Sequence, residues 1–164
     1  MRLALVGAPG SGKSAIAQEL ASRWGATLID TDAVYEQRFG STVGDAVIDD
    51  EAAFRAAEEA IVLDALTTPA AVVAVGSGAL TPAVVDALSN VPVVWLEVGL
   101  AEASRRTGLS GMRPLSMGPV RAQMADMMAV RAATYAAVAD LTVNTDRRMV
   151  ATVADEIEVW ETQR

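Results

Sequence analysis

The residues best suited to chemistry cluster near the start of the chain, in Gly7-Ala8-Pro9-Gly10-Ser11-Gly12-Lys13-Ser14. The run sits between the apolar stretch Leu3 to Val6 and a helical pattern that ends at Trp24. A Gly-x-x-x-x-Gly-Lys-Ser spacing between a strand and a helix is a phosphate-binding loop. Its glycines let backbone N–H groups turn toward phosphate oxygens, and the helix that follows adds the positive end of its dipole. Lys13 reaches the β- and γ-phosphates in such a loop, and the Ser14 hydroxyl serves Mg²⁺. Gly10, Ser11, Gly12, Lys13, Ser14 and Ala15 are therefore the candidate nucleotide contacts. Lys13 is also the only lysine, so the remaining 12 of the 13 basic residues are arginines.

A second pair of candidates follows the segment Ala26 to Asp30, which reads as a short strand ending in Asp30-Thr31-Asp32. If the strand persists, Asp30 and Asp32 share one face at the carboxyl edge of a sheet, where open α/β folds bind ligands. One carboxylate would hold Mg²⁺ and the other would orient and deprotonate an attacking hydroxyl. Asp-Thr-Asp is equally an ordinary helix N-cap, and spacing alone does not separate the two readings.

Composition narrows the chemistry further. No cysteine excludes a disulfide framework and a thiolate nucleophile, and no histidine leaves Asp or Glu as the only neutral-pH base. A net charge of −8 argues against nucleic acid as the main partner. The apolar runs are too short to span a bilayer and the N-terminus carries no cleavable signal pattern, so a soluble cytoplasmic protein is expected.

These residues must be positioned by alternating strands and helices. Apolar runs at 71–75, 92–96 and 141–143 read as further strands, and helices are expected over 82–88, 100–107, about 120–137 and 150–161. Between Gly40 and Leu66 the pattern gives a short helix from Thr42 to Ile48 and a longer one capped by Asp49. Alternation of this kind predicts a mostly parallel sheet covered on both faces. Gly108, Gly111, Pro114, Gly118 and Pro119 punctuate a stretch expected to form a mobile lid, about 108–119. Met124, Met127 and Met128 read as core filler, and Arg121, Arg147 and Arg164 as solvated.

Several motifs together resemble the shikimate kinase family along nearly the whole chain. They are the phosphate loop, Ile29-Asp30-Thr31-Asp32, Phe54-Arg55-x-x-Glu58, Gly76-Ser77-Gly78-Ala79, Arg105-Arg106-Thr107-Gly108, Met112-Arg113-Pro114-Leu115, Arg131-x-x-x-Tyr135 and Asn144 to Arg148. The resemblance implies an α/β, three-layer α/β/α P-loop kinase fold with a five-stranded parallel sheet in the order 2-3-1-4-5. It implies one domain over 1–164, with an acceptor-binding region at about 31–60. The implied reaction moves the γ-phosphoryl group of ATP to the 3-hydroxyl of shikimate, in aromatic amino-acid biosynthesis, in a monomer.

By position, Ser14 and Asp30 would serve Mg²⁺, and Asp32 would bind the acceptor and act as base. Arg55 and Arg131 would clamp the shikimate carboxylate beside Gly76, Ser77 and Gly78. Arg113 on the lid would reach the transferring phosphate, and Arg106 and Arg148 would lie against the nucleotide. Fork-shaped, permanently charged arginines suit a carboxylate better than lysine does. Arg55 alternatively pairs with Glu58 or Glu59 at helical spacing.

The family usually has three glycines where this chain has Gly76-Ser77-Gly78. A serine at the middle position costs about 1 kcal/mol if positive φ is required there. The altered acceptor loop keeps two other readings open. One is a kinase of the same fold for another small hydroxy acid such as gluconate; the other is a non-catalytic nucleotide-binding module. The joint presence of Asp32, Arg55, Arg113 and Arg131 favours catalysis.

Overall fold

The computed structural model describes residues 2–108 and 114–164, without the side chains of 114–119. Five strands, β1 (Leu3–Val6), β2 (Thr27–Asp30), β3 (Ala71–Ala74), β4 (Val93–Glu97) and β5 (Leu141–Asn144), form one sheet in the order β2-β3-β1-β4-β5. Every pairing is parallel, as the alternating pattern requires. Helices α1 (Lys13–Trp24), α2 (Thr31–Phe39), α3 (Val43–Thr67), α4 (Pro82–Leu88), α5 (Leu100–Arg106), α6 (Pro114–Val138) and α7 (Val150–Thr162) connect and cover it.

Strand geometry decides which helix covers which face, because successive side chains point to opposite sides. Leu3 and Leu5 of β1 meet Ile16 and Leu20 of α1 and Val153 and Ile157 of α7. Ala4 and Val6 face the other way, toward Val62 and Leu66 of α3, Val84 and Leu88 of α4, and Tyr135 of α6. All four β1 residues are buried, so the phosphate loop that follows is anchored to the centre of the protein. The result is the expected three-layer α/β/α arrangement, with the carboxyl ends of β1, β2 and β3 at one edge of the sheet.

The local signals hold in most places and shift in three. Thr81 caps α4 by accepting from Val84 N–H at 3.3 Å, and Thr42 caps α3 by accepting from Asp45 N–H at 3.1 Å. The helices expected at 42–48 and from Asp49 onward are continuous in α3, but Asp50 breaks the helical backbone with φ −155° and ψ 89°. Asp50, not Asp49, performs the capping, accepting from Ala53 N–H at 3.0 Å. With two adjacent aspartates the pattern cannot say which one leaves the helix.

The second shift concerns the lid. Helix α6 begins at Pro114, six residues before the expected start, so 114–119 are helical rather than irregular. Proline is tolerated at a first helical position because its missing N–H would have no intrahelical partner there. Residues 109–113 of the expected lid, and with them Arg113, lie outside the described residues. The third shift is at Asp30: β2 ends there and α2 begins at Thr31, so the strand does not carry Asp30 and Asp32 onto one face. Asp30 is instead the N-cap of α2, its Oδ1 accepting from Asp32 N–H at 3.1 Å and Ala33 N–H at 3.2 Å.

Gly10 shows how closely the phosphate loop is packed. Its φ is +77°, and a Cβ built there would lie 2.8 Å from the Ala103 carbonyl oxygen. Gly40 at the end of α2 also has positive φ, +67°, but nothing lies within 4 Å of its Cβ position. Gly40→Ala is therefore expected to lower stability by about 1 kcal/mol. Gly10→Ala adds a backbone clash and should cost at least about 2 kcal/mol. Urea unfolding midpoints at unchanged m value check the difference.

Candidate active site

The phosphate loop runs from the end of β1 into α1. Gly12 takes the N-cap position of α1 in the left-handed conformation, φ +93°, which a glycine adopts without strain. Lys13 Nζ folds back over the loop, donating to the carbonyls of Gly7 at 2.9 Å and Ala8 at 3.1 Å. Burial lowers the Lys13 ammonium to about 8, against the opposing pull of Asp32 and then Asp30. Most molecules still carry the charge at pH 7. Ser14 and Ala15 are exposed on the first turn of α1. Ser11 Oγ is fully buried and is the one such side-chain atom among the described residues without a hydrogen-bond partner.

The proposed acceptor side is assembled from the start of α2, helices α3 and α6, and the loop after β3. Thr31 Oγ1, buried, accepts from Gly76 N–H at 2.9 Å and so ties the β2 end to the β3 end. A Cβ built on Gly76 would lie 2.6 Å from Glu58 Oε1 and 2.7 Å from Asp32 Oδ1, so the two carboxylates converge on it. Burial raises the Asp32 carboxyl to about 6; Lys13 opposes this, while Asp30 and Glu58 add to it. Asp32 is thus mostly ionised at pH 7, yet a stronger proton acceptor than an ordinary aspartate.

Gly78 sits between two guanidinium groups. A Cβ there would collide with Arg55 and approach Arg131 Nη2 to 3.0 Å. Arg55 Nη1 donates to Glu58 Oε2 at 2.7 Å, the pairing expected along its helix, and the same guanidinium faces Gly78. Tyr135 donates its hydroxyl to the Ser77 carbonyl at 2.6 Å, and burial pushes its phenol up to about 12. Ser77 itself has ordinary φ, since Ala70 and Arg147 are the only non-glycine residues described in the left-handed region. The strain expected of a serine here is absent.

On the other side of the phosphate loop lies an open cleft of about 420 Å³, lined among others by Gly12, Ala15, Arg106, Arg148 and Val150. Arg106 reaches it as a strut. It donates to Glu102 Oε1 at 2.9 Å, to the Gly10 carbonyl at 3.2 Å, and to Thr145 Oγ1 and O at 3.1 and 2.6 Å. The carboxyl of Glu102, held by Arg105 and by Arg106, drops to about 2. Arg148 donates to the Asn144 carbonyl at 2.9 Å and pairs with Glu156 at 2.7 Å. Arg147 is exposed at the rim. Met124 packs with Ala8, Val98 and Ala103, as core filler should.

Sequence reasoning brought Lys13, Asp30, Asp32, Arg55, Gly76, Ser77, Gly78 and Arg131 to one region, and the structure places them there. It missed Thr31, Glu102 and Thr145. Thr31 and Thr145 are polar side chains that only the fold buries, and Glu102 is marked only by its helical spacing to Arg105 and Arg106.

Comparison with known proteins agrees with this geometry. A family model described as shikimate kinase matches residues 9–160. Among curated relatives, the shikimate kinase of Mycobacterium tuberculosis is 46% identical over 147 residues, 88% of this chain and 84% of that one. That of Thermobifida fusca is 43% identical over 143 residues, 86% of this chain and 83% of that one. The solved shikimate kinase from Acinetobacter baumannii, in complex with shikimate, superposes with a TM-score of 0.90 at 25% identity, over 99% of this chain and 93% of that one. A phosphate loop, a half-buried carboxylate and an arginine pair at one end of the sheet thus occur in a chain that belongs to the shikimate kinase family.

Proposed function

We infer that this shikimate kinase family member transfers the γ-phosphoryl group of ATP to the 3-hydroxyl of shikimate. The observation that carries the reading is the convergence at Gly76–Gly78 of Asp32 with two arginines, close enough to Lys13 for Asp32 and Arg131 to act on its charge. An acceptor carboxylate lies between Arg55 and Arg131, whose forks match it. The acceptor hydroxyl is oriented by Asp32, which takes its proton as the phosphoryl group arrives. Lys13 meets the β- and γ-phosphate oxygens and neutralises charge that builds during transfer. Arg113 of the lid, assigned by resemblance, approaches the transferring group, while Arg106 and Arg148 border the nucleotide.

Among the described residues no three acidic, histidine or cysteine side chains gather closely enough to hold a metal ion alone. The oxygens of Ser14 and Asp30 nevertheless suit Mg²⁺, which keeps most of its waters and takes few protein ligands. When bound it would neutralise phosphate charge. No described helix is long and apolar enough to cross a membrane. With its acidic net charge, the protein is read as a cytoplasmic monomer acting on small molecules rather than nucleic acid.

A coupled ADP-release assay should give Mg²⁺-dependent turnover with shikimate and none above background with gluconate or nucleoside monophosphates. EDTA should abolish it and Mg²⁺ restore it. Absence of shikimate turnover overturns the reading. Arg131→Ala is expected to raise the shikimate KM about 100-fold with little change in the ATP KM, because it leaves a carboxylate poorly paired. An equal rise in both, or in neither, removes the clamp.

Asp32→Asn carries an opposite pair of effects. The ionised carboxylate is costlier in the fold than in the unfolded chain, so its contribution to stability is present below its unfolded pKa and is lost as pH rises through about 6. The neutral amide should recover on the order of 1 kcal/mol at pH 8 after allowing for solvent screening, a rise of about 2–4 °C in Tm. Turnover should fall by about 10²-fold or more. Calorimetry and steady-state rates on one preparation check both.

A further inference from the structure

We infer that the Ser77 hydroxyl is a positioning group for Arg131, replacing a carboxylate partner with a neutral one. The inference rests on the shikimate reading and adds a residue-level device to it. Two guanidinium groups lie side by side at Gly78 and repel one another. Arg55 is held against that repulsion by buried Glu58, at 2.7 Å. Arg131 has no ion pair within 4 Å among the described residues, and its Nη1 donates instead to Ser77 Oγ at 3.4 Å.

The difference matters for an anionic ligand. A carboxylate beside Arg131 would compensate its charge and compete for its fork, whereas a hydroxyl fixes the guanidinium and leaves the positive charge for the incoming carboxylate. The serine supplies this oxygen at no backbone cost, since its φ lies outside the left-handed region. The loop itself is docked by Tyr135, one turn beyond Arg131 on α6, which donates to the Ser77 carbonyl at 2.6 Å and whose hydroxyl also lies close to the Arg131 guanidinium. Removing the hydroxyl therefore spares the loop anchor. A glycine at this position would leave Arg131 without that oxygen.

The test compares Ser77→Ala, Arg131→Ala and the double variant in steady state with shikimate and ATP varied separately. Ser77→Ala should raise the shikimate KM about fivefold, the scale of one modest hydrogen bond. The kcat, the ATP KM and the thermal midpoint should stay within twofold or a degree or so of wild type. In the Arg131→Ala background the same change should have no further effect, because the hydroxyl acts through that arginine. An unchanged or lower KM in Ser77→Ala, a loss confined to kcat, or full multiplication of the two effects in the double variant overturns the role. A wild-type protein that fails to turn over shikimate overturns the functional reading itself, an outcome distinct from all three.

Discussion

Charges taken out of water around Gly76–Gly78 are the constraint on which the rest of the structure turns. Asp32 and Glu58 approach one another beside Gly76, and Arg55 and Arg131 do so beside Gly78, with Lys13 close enough to be felt by Asp32. Each like-charged pair is unfavourable alone, and half-buried charges are tolerated only with partners. The arrangement works because opposite charges interleave and because glycines at 76 and 78 leave no Cβ between them. It also explains why the β2–α2 junction, the loop after β3 and helices α3 and α6 must be held in register. The buried Thr31–Gly76 hydrogen bond fixes the β2 and β3 ends, and Tyr135 fixes the β3 loop to α6.

The nucleotide side follows a different logic. There the cleft is open and its arginines are already committed, Arg106 to Glu102, Gly10 and Thr145, and Arg148 to Asn144 and Glu156. These side chains serve first to bind α5, the phosphate loop and the start of α7 into one frame. A nucleotide bound there, as proposed, would meet a wall already braced, which would keep the ordering cost of binding low. On the acceptor side the frame is instead completed by charges that face the ligand.

Much of this was legible in the sequence because it rests on local rules. The phosphate loop is a contiguous motif, strands and helices alternate visibly, and Thr81 and Thr42 announce helix starts by residue type alone. What the sequence withheld depends on the third dimension. Asp30 both ends β2, paired with Ala74, and caps α2, and only the point where β2 stops pairing with β3 decides that Asp32 lies in the helix. Asp49 and Asp50 are chemically alike, so only packing selects the one that breaks α3. Pro114 reads as punctuation when it is a permitted first helical residue. Ser77 was expected to strain a glycine position, and only its backbone angle and its neighbours show that it is at ease there.

The break at Asp50 has a consequence for how the protein comes apart. Tyr35, Ala46, Phe54 and Ile61 form a small cluster separate from the two that sandwich the sheet, and Tyr35 stacks on Phe39 at 4.6 Å and meets Phe54 edge-on at 4.8 Å. Helix α2 and the first half of α3 thus lean on their own aromatic core, and beyond the Thr31–Gly76 hydrogen bond at the start of α2 they join the sheet through the second half of α3. Such a satellite is a cooperative unit that can melt ahead of the whole. Amide exchange in residues 31–49 would then proceed without unzipping any strand, and Asp32 would leave and rejoin the site while Arg55, Arg131 and the phosphate loop stayed in place.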